Sequence, residues 1–158
     1  MIDKIDLINV KIFFIKIVHS LAEVIKTLNE QNIIHRDIKP NNIHIQILDT
    51  EVFSDVDNNY IIKLAEFGTS IKKEENDSLQ IGTLLYLAPE ILKNNKYDEK
   101  CDMWSLGITL YELYFGITPY GNEFDIDLIQ DKLYSDHFMY KFSNIPTLDI
   151  LFKKIISN

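Results

Sequence analysis

Between Glu99 and Phe115 the apolar residues Met103, Trp104, Leu106, Ile108, Leu110, Tyr111, Leu113, Tyr114 and Phe115 crowd one continuous stretch. Wound into a helix, they fall on several sides of it rather than in one stripe, and such a helix belongs in the middle of a domain. Asp98 is a suitable N-cap for it and Gly116 a suitable stop. The rest of the chain must therefore supply the elements that surround a buried central helix.

A second helix is predicted from Val10 to Leu28, where Val10, Phe13, Phe14, Ile17, Val18, Leu21, Val24, Ile25 and Leu28 recur at helical spacing. Ile33 and Ile34 lead into a loop fixed by Pro40. Ile43, Ile45 and Ile47 then alternate with His44 and Gln46, the pattern of a short half-buried strand. Tyr60–Leu64 supplies a second strand, joined to the first through a long acidic connection. Gly68 to Leu79 is polar and aperiodic, hence a long loop, and such loops inside domains tend to be functional or disordered. Pro89 opens a short helix through Leu92. Asp125–Leu133 is a weaker helical segment, and Leu148, Ile150, Leu151, Phe152 and Ile155 suggest a last one. The expected fold is mainly α with a small β hairpin, in a single unit without repeats or linkers.

Composition narrows the function classes. Apolar residues make up 46% of the 158 and charged residues 25%, as in ordinary globular proteins. A net charge of −8, with no dense Lys/Arg patch, argues against nucleic acid and against an anionic membrane surface as partners. Ile5–Val18 is interrupted by Asp6, Lys11 and Lys16, too short and too charged to span a membrane. Cys101 is the single cysteine, so no disulfide forms within the chain and a reducing compartment is expected, cytoplasmic by default with the nucleus as the alternative. The four histidines and Cys101 show no zinc-ligand spacing.

The chemistry-bearing residues lie in order along the chain. His35-Arg36-Asp37-Ile38-Lys39-Pro40-Asn41-Asn42 has the form H-R-D-x-K-P-x-N. Ile62-Lys63-Leu64-Ala65-Glu66-Phe67-Gly68 ends a strand in E-F-G. Gly82 to Glu90 reads G-T-x-x-Y-x-A-P-E, and Asp102 to Gly107 reads D-x-W-S-x-G. Taken alone, an Asp and an Asn around a proline are ordinary turn formers. Four motifs at these intervals resemble the eukaryotic-type Ser/Thr protein kinases, over nearly the whole chain.

That resemblance implies a protein-kinase-like C-terminal lobe, an α+β unit, as a partial kinase domain over residues 1–158. The catalytic loop would be 35–42, the metal motif 66–68, the activation segment 66–90 and the central helix about 99–115. Asp37 would act as the catalytic base, Lys39 would set a positive charge against the γ-phosphoryl oxygens, and Asn42 would offer an oxygen to Mg²⁺. Lys39, Asn42, His44 and Glu66 would contact ATP, with Asn42 and Glu66 on the metal. Glu66 stands where the family has Asp, one methylene longer and roughly 1.5 Å further in reach. His44 stands where the family usually has a Leu beneath the adenine. Arg36, the sole arginine, would dock a phosphorylated activation loop or else pair with a nearby carboxylate. Ser78 is the candidate phosphorylation site, with Thr69 and Ser70 behind it. Thr83 is expected to contact Asp37 and Lys39, Tyr86 and Leu87 to shape the substrate shelf, and Asp102 to bind catalytic-loop N–H groups. His35, Phe67 and Gly68 would give structural support.

None of the five glycines forms G-x-G-x-x-G, and few residues precede the first helix. A five-stranded N-terminal lobe needs roughly 80 residues, so that lobe is expected to be absent here and supplied, if at all, by a longer chain. The arginine that usually pairs with Glu90 is likewise expected to be missing. Two functions follow from these residues. One is a fragment of a Ser/Thr kinase that phosphorylates protein substrates with Mg·ATP. The alternative is a pseudokinase or non-catalytic interaction module. The isolated chain is expected to show no saturable thermal shift with Mg·ATP. Small-molecule phosphotransferases of kinase-like fold share the Asp and Asn but not the later motifs. Asn41, where many basic-directed kinases have Glu, weakly disfavours arginine near the phosphosite.

Overall fold

The computed structural model describes residues 4–48, 60–75, 81–94, 98–121, 125–134 and 149–150. The first helix, α1, runs over Lys4–Glu30, longer at both ends than its clearest periodicity. Phe14, Ile17, Leu21, Ile25 and Leu28 form its buried face, at steps of three, four, four and three that keep them on one side. Asn32 ends it in the left-handed region (φ 56°), a conformation that Asn tolerates better than most residues.

The chain then forms two small antiparallel sheets. β1 (Ile33–Ile34) pairs with β4 (Ile71–Lys72), Ile34 opposite Ile71. β2 (Ile43–Ile47) pairs with β3 (Tyr60–Leu64), from Ile43 opposite Leu64 to Ile47 opposite Tyr60. Short 3-10 turns cover Pro40–Asn42, Phe67–Thr69, Lys73–Glu75 and Leu84–Tyr86. Helices α2 (Pro89–Asn94), α3 (Lys100–Phe115) and α4 (Ile126–Tyr134) complete the described fold. It is mainly helical, with strands confined to those two pairs.

Helix α3 is the central one. Among residues 101–111 only Met103 is exposed. Glu99 occupies the N-cap without a side-chain cap bond, and two residues before the helix the Asp98 carboxylate accepts from the Lys100 N–H at 2.8 Å. At the far end Gly116 turns left-handed (φ 72°) and its N–H donates to Glu112 O at 2.7 Å. Such a residue closes the helix without the steric cost a Cβ would bring. α1 packs across α3, with Phe14 and Tyr114 edge to face at 5.2 Å. It also packs on β1 and on β3, where Phe13 meets Tyr60 at 4.9 Å and the Lys16 ammonium sits 5.7 Å from the Tyr60 ring centre.

Two expectations need correction. The loop predicted from Gly68 contains β4 and two 3-10 turns, because a two-residue strand has no periodicity of its own to read. The half-buried strand is not half-buried: Ile45 and Ile47 are 45% and 62% exposed. α1 covers β3 and buries Ile62, whereas β2 packs mainly on β3 among the described residues. The long connection after Leu48 and most of the suggested last helix lie outside the described residues.

Leu21, 1% exposed, sits where α1 meets the core. Leu21→Ala is expected to cost about 2–5 kcal/mol, measured by urea unfolding. A loss below about 1 kcal/mol would mean that α1 does not pack as described.

Candidate active site

The loop from His35 to Asn42 joins β1 to β2 and is held from beneath by α3. The Asp102 carboxylate, 1% exposed, accepts the backbone N–H of His35 at 2.7 Å and of Arg36 at 2.9 Å. Burial pushes its carboxyl pKa up against the lowering from those two donors. Arg36 itself lies in the left-handed region (φ 70°), which costs a non-glycine residue of order 1–3 kcal/mol. Thr109 adds a third tie, its hydroxyl donating to Ile38 O at 3.3 Å. The His35 ring is fully buried, with Nε2 3.1 Å from Ala65 O and Nδ1 accepting from the Asp37 N–H at 3.4 Å. Those partners require a neutral ring protonated on Nε2. Burial lowers the His35 pKa in the same sense, outweighing the pull of Asp102 and the other acceptors.

Asp37 emerges from this turn into a dense constellation. Its Oδ1 accepts the Thr83 hydroxyl at 2.8 Å and the Thr83 N–H at 3.1 Å. Its Oδ2 faces the Lys39 ammonium at 2.8 Å and the Asn42 amide at 3.1 Å. Lys39 also donates to Thr83 Oγ1 at 2.8 Å, and Asn42 Nδ2 to Asp37 O at 2.7 Å. Partial burial by itself raises the Asp37 pKa, but the bonds from Lys39, Thr83 and Asn42 together outweigh it and hold it below the usual carboxylate value. The carboxylate is ionised at neutral pH and its acceptor sites are filled.

An open cavity of about 420 Å³ lies over this group, lined by Asp37, Lys39, Asn41, Asn42, His44, Glu66, Gly68 and Thr69. Its size falls within the range of small-molecule sites. Asn42 Nδ2 is committed to Asp37, which leaves the amide oxygen as the atom for a cation. Glu66 brings a carboxylate to the same cavity, and two oxygen donors suit Mg²⁺. Among the described residues Glu66 makes no hydrogen bond, and its backbone is left-handed (φ 63°). Phe67 is exposed on one side while its ring stands edge-on to His35 at 4.7 Å. No group of three or more metal-binding side chains is preassembled among the described residues.

The segment from Gly82 to Glu90 is laid against α3. Gly82 (φ 116°) passes so close to the loop that a Cβ would lie 2.5 Å from Arg36 O, a position open to glycine alone. Tyr86 is buried, its hydroxyl 2.5 Å from Glu112 Oε2 and its carbonyl accepting from Ser105 Oγ at 2.7 Å. Burial, then Glu112, pushes the Tyr86 pKa far up, so the phenol is the donor. Arg36 Nε donates to Thr69 O at 2.6 Å, and the Thr69 hydroxyl to His35 O at 3.1 Å. Ser78 lies outside the described residues. Glu90 is half-buried in the first turn of α2, with no ion pair among the described residues, and burial raises its pKa.

A family model for the protein kinase domain matches residues 10–156. The chain belongs to the protein kinase family. The kinase segment is 38% identical to the serine/threonine-protein kinase ATG1b of Arabidopsis thaliana over 117 residues, covering 73% of this chain and 15% of that protein. It is 39% identical to calcium-dependent protein kinase 4 of Plasmodium falciparum over 115 residues, 70% of this chain and 20% of that protein. With an Aurora kinase of Eremothecium gossypii it shares 38% over 108 residues, 67% of this chain and 26% of that one. The aligned kinase segment thus spans a quarter or less of most of these relatives. No helix among the described residues is long and apolar enough to cross a membrane.

Sequence reasoning missed Ser105, Thr109 and Glu112 as partners of this candidate site. Their signal was present: with Asp102 they recur at steps of three, four and three, a polar stripe on an otherwise apolar helix.

Two outcomes test this geometry. Asp102→Ala strands two buried N–H groups and is expected to cost about 2–5 kcal/mol in chemical unfolding, where a cost near zero would refute the anchoring. Glu90 has a folded pKa above its unfolded value of about 4.3, so its contribution to stability is full below that pH and is lost as pH rises through the folded pKa. Glu90→Gln is therefore expected to raise the melting temperature at pH 7, with the gain vanishing below about pH 4. A gain equal at both pH values would point to another cause.

Proposed function

We propose that this chain carries the catalytic-loop and activation-segment part of a Ser/Thr protein kinase, which transfers the γ-phosphoryl group of ATP to a Ser or Thr hydroxyl of a protein substrate. What carries this reading is the convergence of Lys39, Asn42 and Thr83 on Asp37, within one hydrogen-bonded group at 2.7 to 3.1 Å, with Asp37, Lys39 and Asn42 lining one cleft. The glycine-rich loop and strand lysine of the reaction belong, in this reading, to polypeptide outside these residues.

Each residue then has a task. With four donors on its two oxygens, Asp37 accepts a substrate hydroxyl only when one donor leaves. Lys39 is the one with a natural second partner, the γ-phosphoryl oxygens, so it moves toward them and opens Oδ2. The hydroxyl oxygen bonds to the γ-phosphorus, the bond from that phosphorus to the β–γ bridging oxygen breaks, and ADP leaves. Asp37 takes the hydroxyl proton. A carboxylate held below its ordinary pKa is a weak base, so orientation of the hydroxyl is its larger contribution, as suits a loose transition state. Thr83 stays on Oδ1 and fixes the direction of the other oxygen. Asn42 and Glu66 would hold Mg²⁺, which when bound neutralises charge on the phosphate oxygens.

A non-catalytic role is favoured by one observation, the exposed and unengaged Glu66 in a left-handed backbone. Its longer carboxylate must fold back to meet a cation, and a misplacement of about 1 Å can cost on the order of 100-fold.

Fused to the N-terminal lobe of a Ser/Thr kinase relative, the chain is expected to label a protein substrate on Ser or Thr from Mg·ATP. Asp37→Asn is expected to lower the rate by at least about 100-fold without lowering the melting temperature in step, and Glu66→Asp to raise it. Absence of labelling by both the parent fusion and its Glu66→Asp form would establish the interaction module instead.

A further inference from the structure

The start of the activation segment is tied to the body by contacts that phosphoryl transfer does not use. Thr69 and Ser70 donate to His35 O at 3.1 and 3.4 Å. β4 pairs with β1, and the Lys73 N–H donates to Asn32 O at 2.9 Å. Lys73 is the last of these ties: its ammonium lies 3.3 Å from Glu99 Oε2. Beyond it Glu74 and Glu75 are exposed and engage nothing among the described residues. On the distal side the segment is fixed again at Gly82 and Thr83, against Arg36 O and Asp37.

Glu99 is the residue that precedes α3, three positions before Asp102. One ion pair therefore joins the arm of the activation segment to the helix end that grips the catalytic loop. Charges on both sides bear on it: Lys72, Glu74 and Glu75 flank Lys73, and Asp98 and Lys100 flank Glu99. The Asp98 carboxylate is engaged by the Lys100 N–H, so Glu99 is the carboxylate presented to Lys73. The two side chains are 29% and 43% exposed. A pair so open to water contributes little to global stability and is screened by salt, the properties of a reversible tie rather than of a structural one.

We propose that Lys73 and Glu99 form a latch that holds the proximal arm of the activation segment to the start of α3. Its opening frees residues 73–75 from the start of α3 and leaves the Asp37–Lys39–Thr83 constellation in place. The latch rests on the activation-segment reading, but its test needs no catalysis, so the two fail separately.

Hydrogen exchange of the 158-residue chain, read on peptides covering residues 69–75, decides it. Lys73→Met and Glu99→Gln are each expected to speed exchange there about two- to five-fold, while the amides of His35 and Arg36 keep their wild-type rates. The exchanged pair, Lys73→Glu with Glu99→Lys, is expected to restore protection. Raising NaCl from about 50 to about 500 mM should loosen the wild type and leave the single variants unchanged. Wild-type rates in the single variants, failure of the exchanged pair to restore them, or acceleration that includes His35 and Arg36 would each overturn the latch.

Discussion

The buried carboxylate of Asp102 is the point from which the site is built. It accepts the two consecutive N–H groups of His35 and Arg36, and consecutive amides converge on one acceptor only if the chain turns sharply between them. That turn is what drives Arg36 to a positive φ. The strain of order 1–3 kcal/mol is offset by hydrogen bonds to a charged group, each worth roughly 1.5–3 kcal/mol. Once Arg36 is reversed, the next residue, Asp37, leaves the core and enters the cleft. Without a partner inside the domain that turn would relax toward an extended strand, and Asp37 would lose its place beside Thr83 and Asn42.

The same helix holds the other half of the site. Asp102, Ser105, Thr109 and Glu112 follow one face of α3, and each bonds to a different part of the two loops above it. The remaining faces are packed among Trp104, Leu106, Ile108, Leu110 and Tyr111. A stripe of hydrogen-bonding groups inside an apolar core is costly unless every member is satisfied. Here the satisfaction comes from loop backbone and from the Tyr86 phenol, so burial of α3 and placement of the loops are one requirement. Gly82 adds a steric condition, since the activation segment reaches Asp37 only by passing within van der Waals contact of Arg36 O.

Helices were legible in the sequence because their signal is local and periodic. The period of α1 and the apolar density of α3 specify both, and Asp98 and Gly116 mark the ends of α3 within a residue. β1 and β4 were not legible: two residues pair with two others 38 positions on, and nothing local distinguishes them from loop. The left-handed residues Arg36 and Glu66 were also hidden, because neither residue type favours that conformation and long-range contacts impose it. Ile45 and Ile47 misled for a related reason. Alternation reports which side of a strand is apolar, not whether another element covers it. At the site, the motifs point to the residues of the cleft, but of the polar stripe of α3 they single out Asp102 and not Ser105, Thr109 or Glu112.

Charge around the cleft sharpens what the proposed reaction demands of it. The lining presents two carboxylates, Asp37 and Glu66, against one ammonium, Lys39, and that ammonium is already paired with Asp37. Arg36, the only guanidinium of the chain, is directed to Thr69 O and buried beneath the loop. A polyphosphate entering such a cleft meets net negative charge, in a chain that is itself negative. Binding therefore needs positive charge from outside these side chains, which a divalent cation on Asn42 and Glu66 would bring. In the proposed reaction, the residue that departs from the family pattern would thus be the one on which the electrostatics of nucleotide binding turns. In the proposed reaction a carboxylate there would be needed whatever its length. One methylene more would change where such a cation sits, and hence how the phosphoryl group would align with Asp37.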